Sequence, residues 1–441
     1  MFEWSEEHAM VRDAVRQFVD NEIRPHRDEL EFGDVPPYDV LRKMFQTFGL
    51  DALAREQFKK RIERERTAAE AAKGDAAEAA KGDAAEATRG DAAEAARGDA
   101  AEASAGEADD EARPAGGGGA MFTIPIIELC RCSPGMVTAL GVSVGLTAAA
   151  VMSKGTIEQK ERWALDLLTL DKIGAWAITE PNSGSDAFGG MQSTARRDGD
   201  EYVLNGSKTF ITNGPYADTT VFICKLDEGN APEDRKVLHF VLDKGLPGFE
   251  QSKPLRKMGL HSSPTGQLFL SDVRVGRDRL LGETEDVSAG GGRDAAKATF
   301  TMERTGVAAM ALGIVERCLD LCLDYARERV QFGKPIGEYQ LIQLKLARME
   351  VARLNLQNLV FRQIEMQSAG RQMTLAEASA GKLYGAQAAT EVALEAVQLF
   401  GGNGYMAEYE VEQLARDAKV LQIYAGTDEI QVGQIARSLL G

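Results

Sequence analysis

The chain has 441 residues, 44% of them apolar, and a formal net charge of −17 at pH 7. That length allows two or three domains with a substantial core, and the apolar share is ordinary for a soluble globular protein. So negative a balance, with no dense basic segment to offset it, excludes a nucleic-acid partner, because phosphate contacts need clustered Lys and Arg.

Residues 1–12 carry Glu3, Glu6, Glu7 and His8 and no apolar run, so they do not read as a signal peptide. Residues 4–31 predict an amphipathic helix, opened by Ser5, Glu6 and Glu7, with Val11, Val15, Phe18, Val19 and Ile23 on one face. Pro36-Pro37 breaks the chain, and a second helix begins over residues 38–50. The composition then changes. Five copies of an Ala-Ala-Glu-Ala-Ala-Lys/Arg-Gly-Asp unit, drifting in the last copies, fill residues 68–107, and four glycines close the segment at 116–119. A Gly in each unit costs about 1 kcal/mol relative to Ala in a helix, and residues 63–120 contain no Leu, Ile, Val or Phe to start a core. A period of eight also fits neither supercoil repeat. The expectation is a flexible acidic insertion over 63–119, a frayed helix or a disordered segment on the surface.

Residues 121–170 return to helix. Within them, residues 135–152 run without a charge, at the length threshold for a membrane span. Their Gly, Ala, Ser, Thr and Val content, with Leu140 and Leu146 as the large aliphatics besides methionine, predicts a helix buried among others and no span. Strands are predicted at 173–179, 202–204, 209–211, 219–226, 237–242 and 267–275, with Asn205-Gly206 as a hairpin turn between two of them. Six short strands in one region suggest a small barrel or sandwich.

From about residue 292 the chain reads as helix to its end. Over 299–334, Val307, Met310, Ala311, Ile314, Val315, Cys318, Leu321, Cys322 and Tyr325 recur as one buried face of a helix of about eight turns. Glu303 and Arg304 fall in its first turns, where solvation near a helix N-terminus is the ordinary explanation of charge. Thr374 and Glu377 form a capping box that opens another helix, ended by Gly401-Gly402. The five cysteines are an odd number, Cys130 and Cys132 are too close for the usual zinc spacing, and the four histidines are scattered. Reduced, structural cysteines, a cytoplasmic location and no metal site follow as expectations. The predicted fold class is mostly α with a central β domain: N-terminal helices (1–62 and 120–171, split by the insertion at 63–119), a β-barrel (172–285) and a C-terminal helical bundle (286–441).

Four sets of motifs, in this order, resemble the acyl-CoA dehydrogenase family of flavoenzymes. Residues 175–186, from Ala175-Trp176 through Thr179-Glu180 to Ser185-Asp186, resemble its first signature, the loop leaving a barrel strand under the flavin. Residues 206–214, containing Phe210-Ile211-Thr212, resemble the strand behind the isoalloxazine. Residues 329–334 resemble the helix end that reaches a neighbouring subunit's flavin. Residues 398–405 and Tyr424-Ala425-Gly426-Thr427 resemble the last pair. The likeness covers residues 1–60 and 120–441 and leaves the repeat outside. It implies FAD as cofactor, an acyl-CoA substrate, a role in fatty acid metabolism, an electron-transfer flavoprotein as acceptor and a homotetramer built as a dimer of dimers.

A flavin needs hydrogen-bond donors at its polar edge and an apolar wall behind the ring. Thr179, Ser185 and Thr212 offer hydroxyls, and Trp176 and Phe210 offer wall. Arg329, Gln398, Gly401 and Gly402 offer the cation and backbone N–H groups that a pyrophosphate needs. The resemblance adds Ile178, Gly184, Gln331, Phe332, Gln340, Thr427 and Glu429 on the cofactor side, and Ser185, Arg304, Tyr424 and Gly426 on the substrate side.

The implied reaction is α,β-dehydrogenation of an acyl-CoA thioester, in which a carboxylate removes the α proton. In much of the family that carboxylate sits between the Tyr and Gly of the Tyr-x-Gly-Thr loop, where this chain has Ala425. Some members, the isovaleryl- and long-chain-type enzymes among them, instead carry it in a Glu-Arg pair on the first helix of the C-terminal domain, which Glu303-Arg304 match. The resemblance therefore makes Glu303 the base, with Arg304 turned toward the CoA phosphates or ribose. The backbone N–H of Ala425 is retained as a donor to the thioester oxygen. Asp428 and Glu429 read as helix N-terminal acids. Two other readings compete: a flavin monooxygenase or oxidase of the same fold, and a non-catalytic acyl-CoA-binding scaffold whose working part is the repeat.

Overall fold

The computed structural model describes residues 3–33, 35–86, 118–286 and 292–441; the repeat copies beyond residue 86 lie outside them. The first helix, α1 (Glu6–Phe18), is capped by Ser5, whose Oγ accepts the His8 N–H. It passes through a π turn (Val19–Ile23) and a 3₁₀ turn (Arg24–His26) into α2 (Arg27–Phe32). Pro25 lies in the 3₁₀ turn and cannot donate a helical hydrogen bond, so the ladder re-registers there and the predicted single helix bends.

After α3 (Tyr38–Thr47), α4 (Leu50–Glu86) runs straight into the repeat. Residues 63–86 are thus helical, one of the two forms expected for the insertion. The helix is anchored before the repeat begins: Lys160 donates to Glu65 at 2.6 Å and Arg66 pairs with Glu161 at 2.8 Å. Extending an anchored helix adds one hydrogen bond per residue without a new nucleus, so Ala-rich units suffice to propagate it.

Then come α5 (Gly118–Cys130), α6 (Pro134–Leu140), a π segment (Gly141–Ala148) and α7 (Ala149–Lys154). The run Pro134–Lys154 is long and apolar enough to cross a membrane by length and composition, and half of its apolar window is buried inside the fold. The short α8 (Ile157–Gln159), capped by Thr156, and α9 (Leu165–Leu168) complete the first helical layer.

The central sheet comprises β1 (Gly174–Ala177), β2 (Thr194–Asp198), β3 (Glu201–Thr212), β4 (Thr219–Leu226), β5 (Val237–Asp243), β6 (Phe249–Gln251) and β7 (Thr265–Gly276). It curls in the order β1-β4-β2-β3-β7-β6, with β5 beside β4. Every residue of β4 is buried. Phe222, Cys224 and Leu226 fill the inside of the curl, while Val221 and Ile223 pack outward on Val151, Met152 and Trp163 of the first helical layer. The strand therefore lacks a solvent face, and a near-continuous apolar run is what that location demands.

Asn205-Gly206 is not a hairpin. Residues 201–212 form one strand paired with β7, and the register shifts between Leu204 and Gly206 as a bulge. The extra residue lies on β7, where Asp272 holds φ +50° and bonds to the Asn205 side chain. Opposite it Gly206 has φ +150°, and a Cβ there would come within 2.8 Å of the Ser193 backbone, so β3 passes Ser193 only without a side chain at 206. The turn residues are instead used opposite a bulge, with the Asn205 side chain bonded to Asp272. Strands β2 and β6, short and partly exposed, carry no period-2 pattern and were not predicted.

The chain then forms α10 (Gly292–Glu328), a hairpin of β8 (Val330–Gln331) and β9 (Lys334–Pro335), α11 (Gln340–Ser368), α12 (Leu375–Phe400), α13 (Glu410–Val420) and α14 (Asp428–Leu440). The capping box at Thr374 and the stop at Gly401, φ +62°, are both present. Helix α10 begins about three turns before Glu303. Glu303 and Arg304 are consequently not at a helix N-terminus, and solvation there does not account for them. Nor is α10 buried on one face alone: Ala308, Ala309, Leu312, Leu319 and Ala326 are as buried as the predicted stripe.

Gly206→Ala tests the bulge. A side chain must displace Ser193 and hold an unfavourable φ, so unfolding should become easier by roughly 1–3 kcal/mol. The expected signature is a lower urea midpoint with an unchanged denaturant slope.

Candidate active site

Two regions predicted from sequence meet in this fold: the middle of α10, and the loop 424–427 between α13 and α14. Glu303 is half-buried on α10. Burial pushes its pKa above the ordinary glutamate range, and the nearby Arg304 and Lys382 charges only partly pull it back. Tyr424 lies close by: burial raises its pKa, and the Glu303 carboxylate adds to the shift. Its hydroxyl points to the Met310 sulfur at 3.4 Å, which fastens the loop to α10.

Beyond Tyr424 the backbone turns left-handed at Ala425 (φ +53°) and Gly426 (φ +84°). Thr427 then caps α14, its Oγ accepting the Ile430 N–H at 3.4 Å. Among the described residues, no protein acceptor takes the N–H of Ala425, Gly426 or Thr427. Consecutive N–H groups in such a turn form a concavity suited to a developing negative charge.

Asp428 is held by others, with Lys382 at 3.4 Å, Gln387 at 3.3 Å and Gln422 at 3.2 Å. Glu429 is exposed, and hydrogen bonds at the helix start lower its pKa. Both behave as N-terminal acids of α14. Arg304 differs from expectation: it is 6% exposed and its Nη1 donates to Ser379 Oγ on α12 at 3.0 Å. Its Nη2 lies 3.6 Å from the position a Gly426 Cβ would take, so it lies against the loop rather than standing open to solvent. The reason is helical geometry: on a helix surrounded by protein, the residue next to an inward one also meets a packed neighbour.

The flavin-side residues gather where β1 and β3 adjoin. The Thr209 N–H donates to Thr179 O at 2.9 Å, joining the two segments. Trp176, Ile178, Thr179 and Thr212 are half-buried, whereas Gly184, Ser185 and Phe210 are exposed. Phe210 is 68% exposed and holds φ +57°. That φ belongs to a bulge in β3 between Lys208 and Ile211, which leaves the ring presented at the surface. The donor set of three hydroxyls beside two aromatic rings fits a flat heteroaromatic with polar edges, so these residues suit a flavin.

Beneath this surface, the fully buried Lys208 bonds to Glu180 at 2.8 Å and to Ile178 O at 3.0 Å. Glu180 also accepts the N–H groups of Gln192 (2.6 Å) and Ser193 (2.9 Å). Burial opposes its charge, yet these partners hold its pKa below the usual carboxylate range. Asn213, at φ +63°, donates to Ala139 O and Gly174 O at 2.9 Å each and accepts from Tyr38 at 3.0 Å, which ties the sheet to both halves of the N-terminal helices.

The other predicted cofactor residues lie elsewhere. Arg329, Gln331 and Phe332 are exposed on and beside the β8–β9 hairpin, Phe332 at 95% with φ +52°. Gln340 opens α11, and Gln398, Gly401 and Gly402 end α12, all exposed. The two ends meet, since Tyr325 stacks on Phe400 with centroids 4.0 Å apart. From Glu303 to Arg329 is about 26 positions of helix, or about 39 Å at 1.5 Å per residue. One chain does not bring this second set to its own Glu303.

Sequence reasoning did not find Lys382, Gln431, Lys208 or Asn213. Lys382 had a signal, a lone cation among Ala378, Ser379, Gly381, Gly385, Ala386 and Ala389, on what the structure shows to be the buried face of α12. A charge among small buried residues needs a partner, and here it is Asp428.

Three comparisons with known proteins agree. The chain matches the acyl-CoA dehydrogenase C-terminal domain over residues 290–440, the middle domain over 175–273 and the N-terminal domain over 5–58. It is 38% identical over 325 residues to "Acyl-CoA dehydrogenase, short-chain specific" of Megasphaera elsdenii, covering 74% of this chain and 83% of that one. The fold is similar to the structure of butyryl-CoA dehydrogenase from Megasphaera elsdenii, with TM-score 0.78, 30% identity and 100% of both chains covered. It also resembles a glutaryl-CoA dehydrogenase from Mycobacterium smegmatis in complex with FADH2, with TM-score 0.76, 25% identity and 99% and 95% of the chains covered.

Lys208→Met tests the buried pair. Removing the cation leaves Glu180 as an uncompensated buried charge, a loss of about 3–5 kcal/mol. Chemical denaturation is expected to show that loss at neutral pH, and an unchanged midpoint would refute it.

Proposed function

The chain belongs to the acyl-CoA dehydrogenase family and is an oxidoreductase that uses FAD; from that premise we propose that it converts an acyl-CoA thioester to the trans-2-enoyl-CoA with Glu303 as the base. The carrying observation is the pairing of a partly desolvated Glu303 with a left-handed loop whose Ala425 N–H has no protein acceptor among the described residues. Glu303 takes the α proton at its carboxylate. The Ala425 N–H donates to the thioester oxygen and stabilises the enolate-like charge that proton removal creates. Ala425 itself has only a methyl group, and Asp428 is held by Lys382, which leaves Glu303 as the group placed for the work. Bound FAD supplies the acceptor for the β hydrogen and its electron pair. Trp176, Ile178 and Phe210 would wall it, with Thr179, Gly184, Ser185 and Thr212 at its polar edge. Tyr424 and Gly426 shape the substrate side, and Arg304 steadies the base and the loop from behind.

The remote set, Arg329, Gln331, Phe332, Gln340, Gln398, Gly401 and Gly402, is assigned to the flavin of a second copy of the chain. The ~39 Å along α10 supports this. A stripe of exposed Leu341 (74%), Leu344, Val351 and Leu354 on α11, beside Phe332, supports a homotetramer. The reading places Pro134–Lys154 in the protein core, as its burial supports, and the enzyme in the cytoplasm, which suits five buried free cysteines. An electron-transfer flavoprotein completes the reading as the electron acceptor.

The test is an anaerobic titration of the purified flavoprotein with acyl-CoAs of increasing chain length, followed by flavin absorbance. Bleaching by a subset is expected, and Glu303→Gln should slow it by at least ~10²–10⁴-fold while retaining FAD. The base works deprotonated and its pKa is raised, so kcat/KM should climb with pH through a limb above the ordinary glutamate range and be lost on acidification. A flavin that binds acyl-CoA yet stays oxidised with every chain overturns the dehydrogenase reading in favour of a monooxygenase or oxidase.

A further inference from the structure

We infer that Gln431 is the positioning residue of the thioester-binding loop, an inference that rests on the reading of Ala425 given above. Gln431 lies on α14 and is fully buried. Its Nε2 donates two hydrogen bonds back into the loop, to Ala425 O at 3.0 Å and to Gly426 O at 2.8 Å. One amide thus fixes both peptide planes that follow Ala425 and Gly426. With their carbonyl oxygens pinned toward α14, the N–H of Ala425, on the preceding peptide, is held at its left-handed setting. An alanine pays an energetic cost to stay at φ +53°, so something must over-determine it, and these two bonds are the observed restraint.

The glutamine's other end explains the residue type. Its Oε1 is buried without a protein partner among the described residues. An orphaned acceptor destabilises the fold, and an apolar side chain of the same length would avoid that. The donor end is therefore what the position requires. Gly426 fits the same argument: a Cβ there would come within 2.7 Å of Gln431 Nε2, so only glycine lets the amide reach both carbonyls. The base of α14 is itself fixed, because Asp428 pairs with Lys382 and its N–H donates to Gln422 O at 3.0 Å. Gln431 accordingly acts from a rigid platform.

The experiment uses the FAD-loaded enzyme with Gln431→Met and Gln431→Glu. The probe is a 2,2-dimethylacyl-CoA, which has no α proton for Glu303 to take and stays bound as the intact thioester. The readouts are kcat and KM on substrate, and the thioester C=O stretch of the bound probe by infrared difference. In the wild type the stretch should fall below its value in water. Gln431→Met should keep FAD and its urea midpoint, hold KM within about 2-fold, lower kcat by ~10–100-fold and return the stretch toward the free value. Gln431→Glu places a carboxylate against two carbonyls, so the red shift should be lost at neutral pH and return on acidification, when the protonated acid can donate again. The wild-type shift should not depend on pH in this way.

A Gln431→Met enzyme with unchanged kcat and unchanged stretch overturns the inference, as does one that loses FAD or stability in proportion to activity, which would mark a merely structural role. A wild type with no red shift overturns the thioester reading of Ala425, and this inference with it.

Discussion

A carboxylate set into a helix that is buried almost all round must either stay protonated or be compensated, and the C-terminal half of this protein is arranged around that constraint. Glu303 occupies such a place on α10, with Arg304 and Lys382 as nearby cations and Asp428 as the second anion. The two positive and two negative groups nearly cancel, yet burial still wins and the Glu303 pKa rises. That balance suits a base, which has to be ionised to act but gains from being poorly solvated. A closer pairing with either cation would hold the charge too firmly, and a fully apolar pocket would keep the proton.

Electrostatic placement and backbone geometry are coupled through the same few elements. Lys382 on α12 compensates Glu303 and also anchors the start of α14 through Asp428. From α14, Gln431 fixes the loop carrying Ala425. Glu303, the proposed proton acceptor, and the Ala425 N–H, the proposed donor to the thioester oxygen, thus belong to one packed unit of α10, α12 and α14. On the flavin side a comparable economy holds: the Lys208–Glu180 pair sets the loop bearing Thr179, and Asn213 locks the sheet to the N-terminal helices. Positive φ at Phe210, Phe332 and Ala425 shows strain retained at positions that present groups outward, while buried polar bonds next to two of them hold it in place.

Sequence pattern and tertiary structure divided the information in a physically intelligible way. Local signals determined much of the fold. The capping box at Thr374, the stop at Gly401 and the run 219–226 each depend on neighbours a few positions apart, and all lie where they were expected; the helix α10 does too, although its burial is not confined to one face. Glu303 was legible as an anomaly, a charge where an apolar helix asks for none, and the resemblance of Glu303-Arg304 and Tyr424-Ala425-Gly426-Thr427 to family motifs gave that anomaly a chemical meaning.

What only the tertiary structure decided were matters set by partners distant in the chain. Asn205-Gly206 has the chemistry of a hairpin turn, but pairing made it continuous strand opposite a bulge in β7. Arg304 was expected to face CoA, yet the helix packed beside it supplied Ser379 and turned it inward. Lys382 stood out only as a lone cation among small residues, and its partner Asp428 lies 46 residues away. Gln431 reaches the nearby carbonyls of Ala425 and Gly426 only because the loop folds back over the start of α14. Sequence by itself determined most of the helices, the longer strands and which residue types could do chemistry. Which of those residues share one desolvated space was decided by the packing of α10, α12 and α14, because burial and hydrogen-bond geometry are properties of the assembled core and not of the chain.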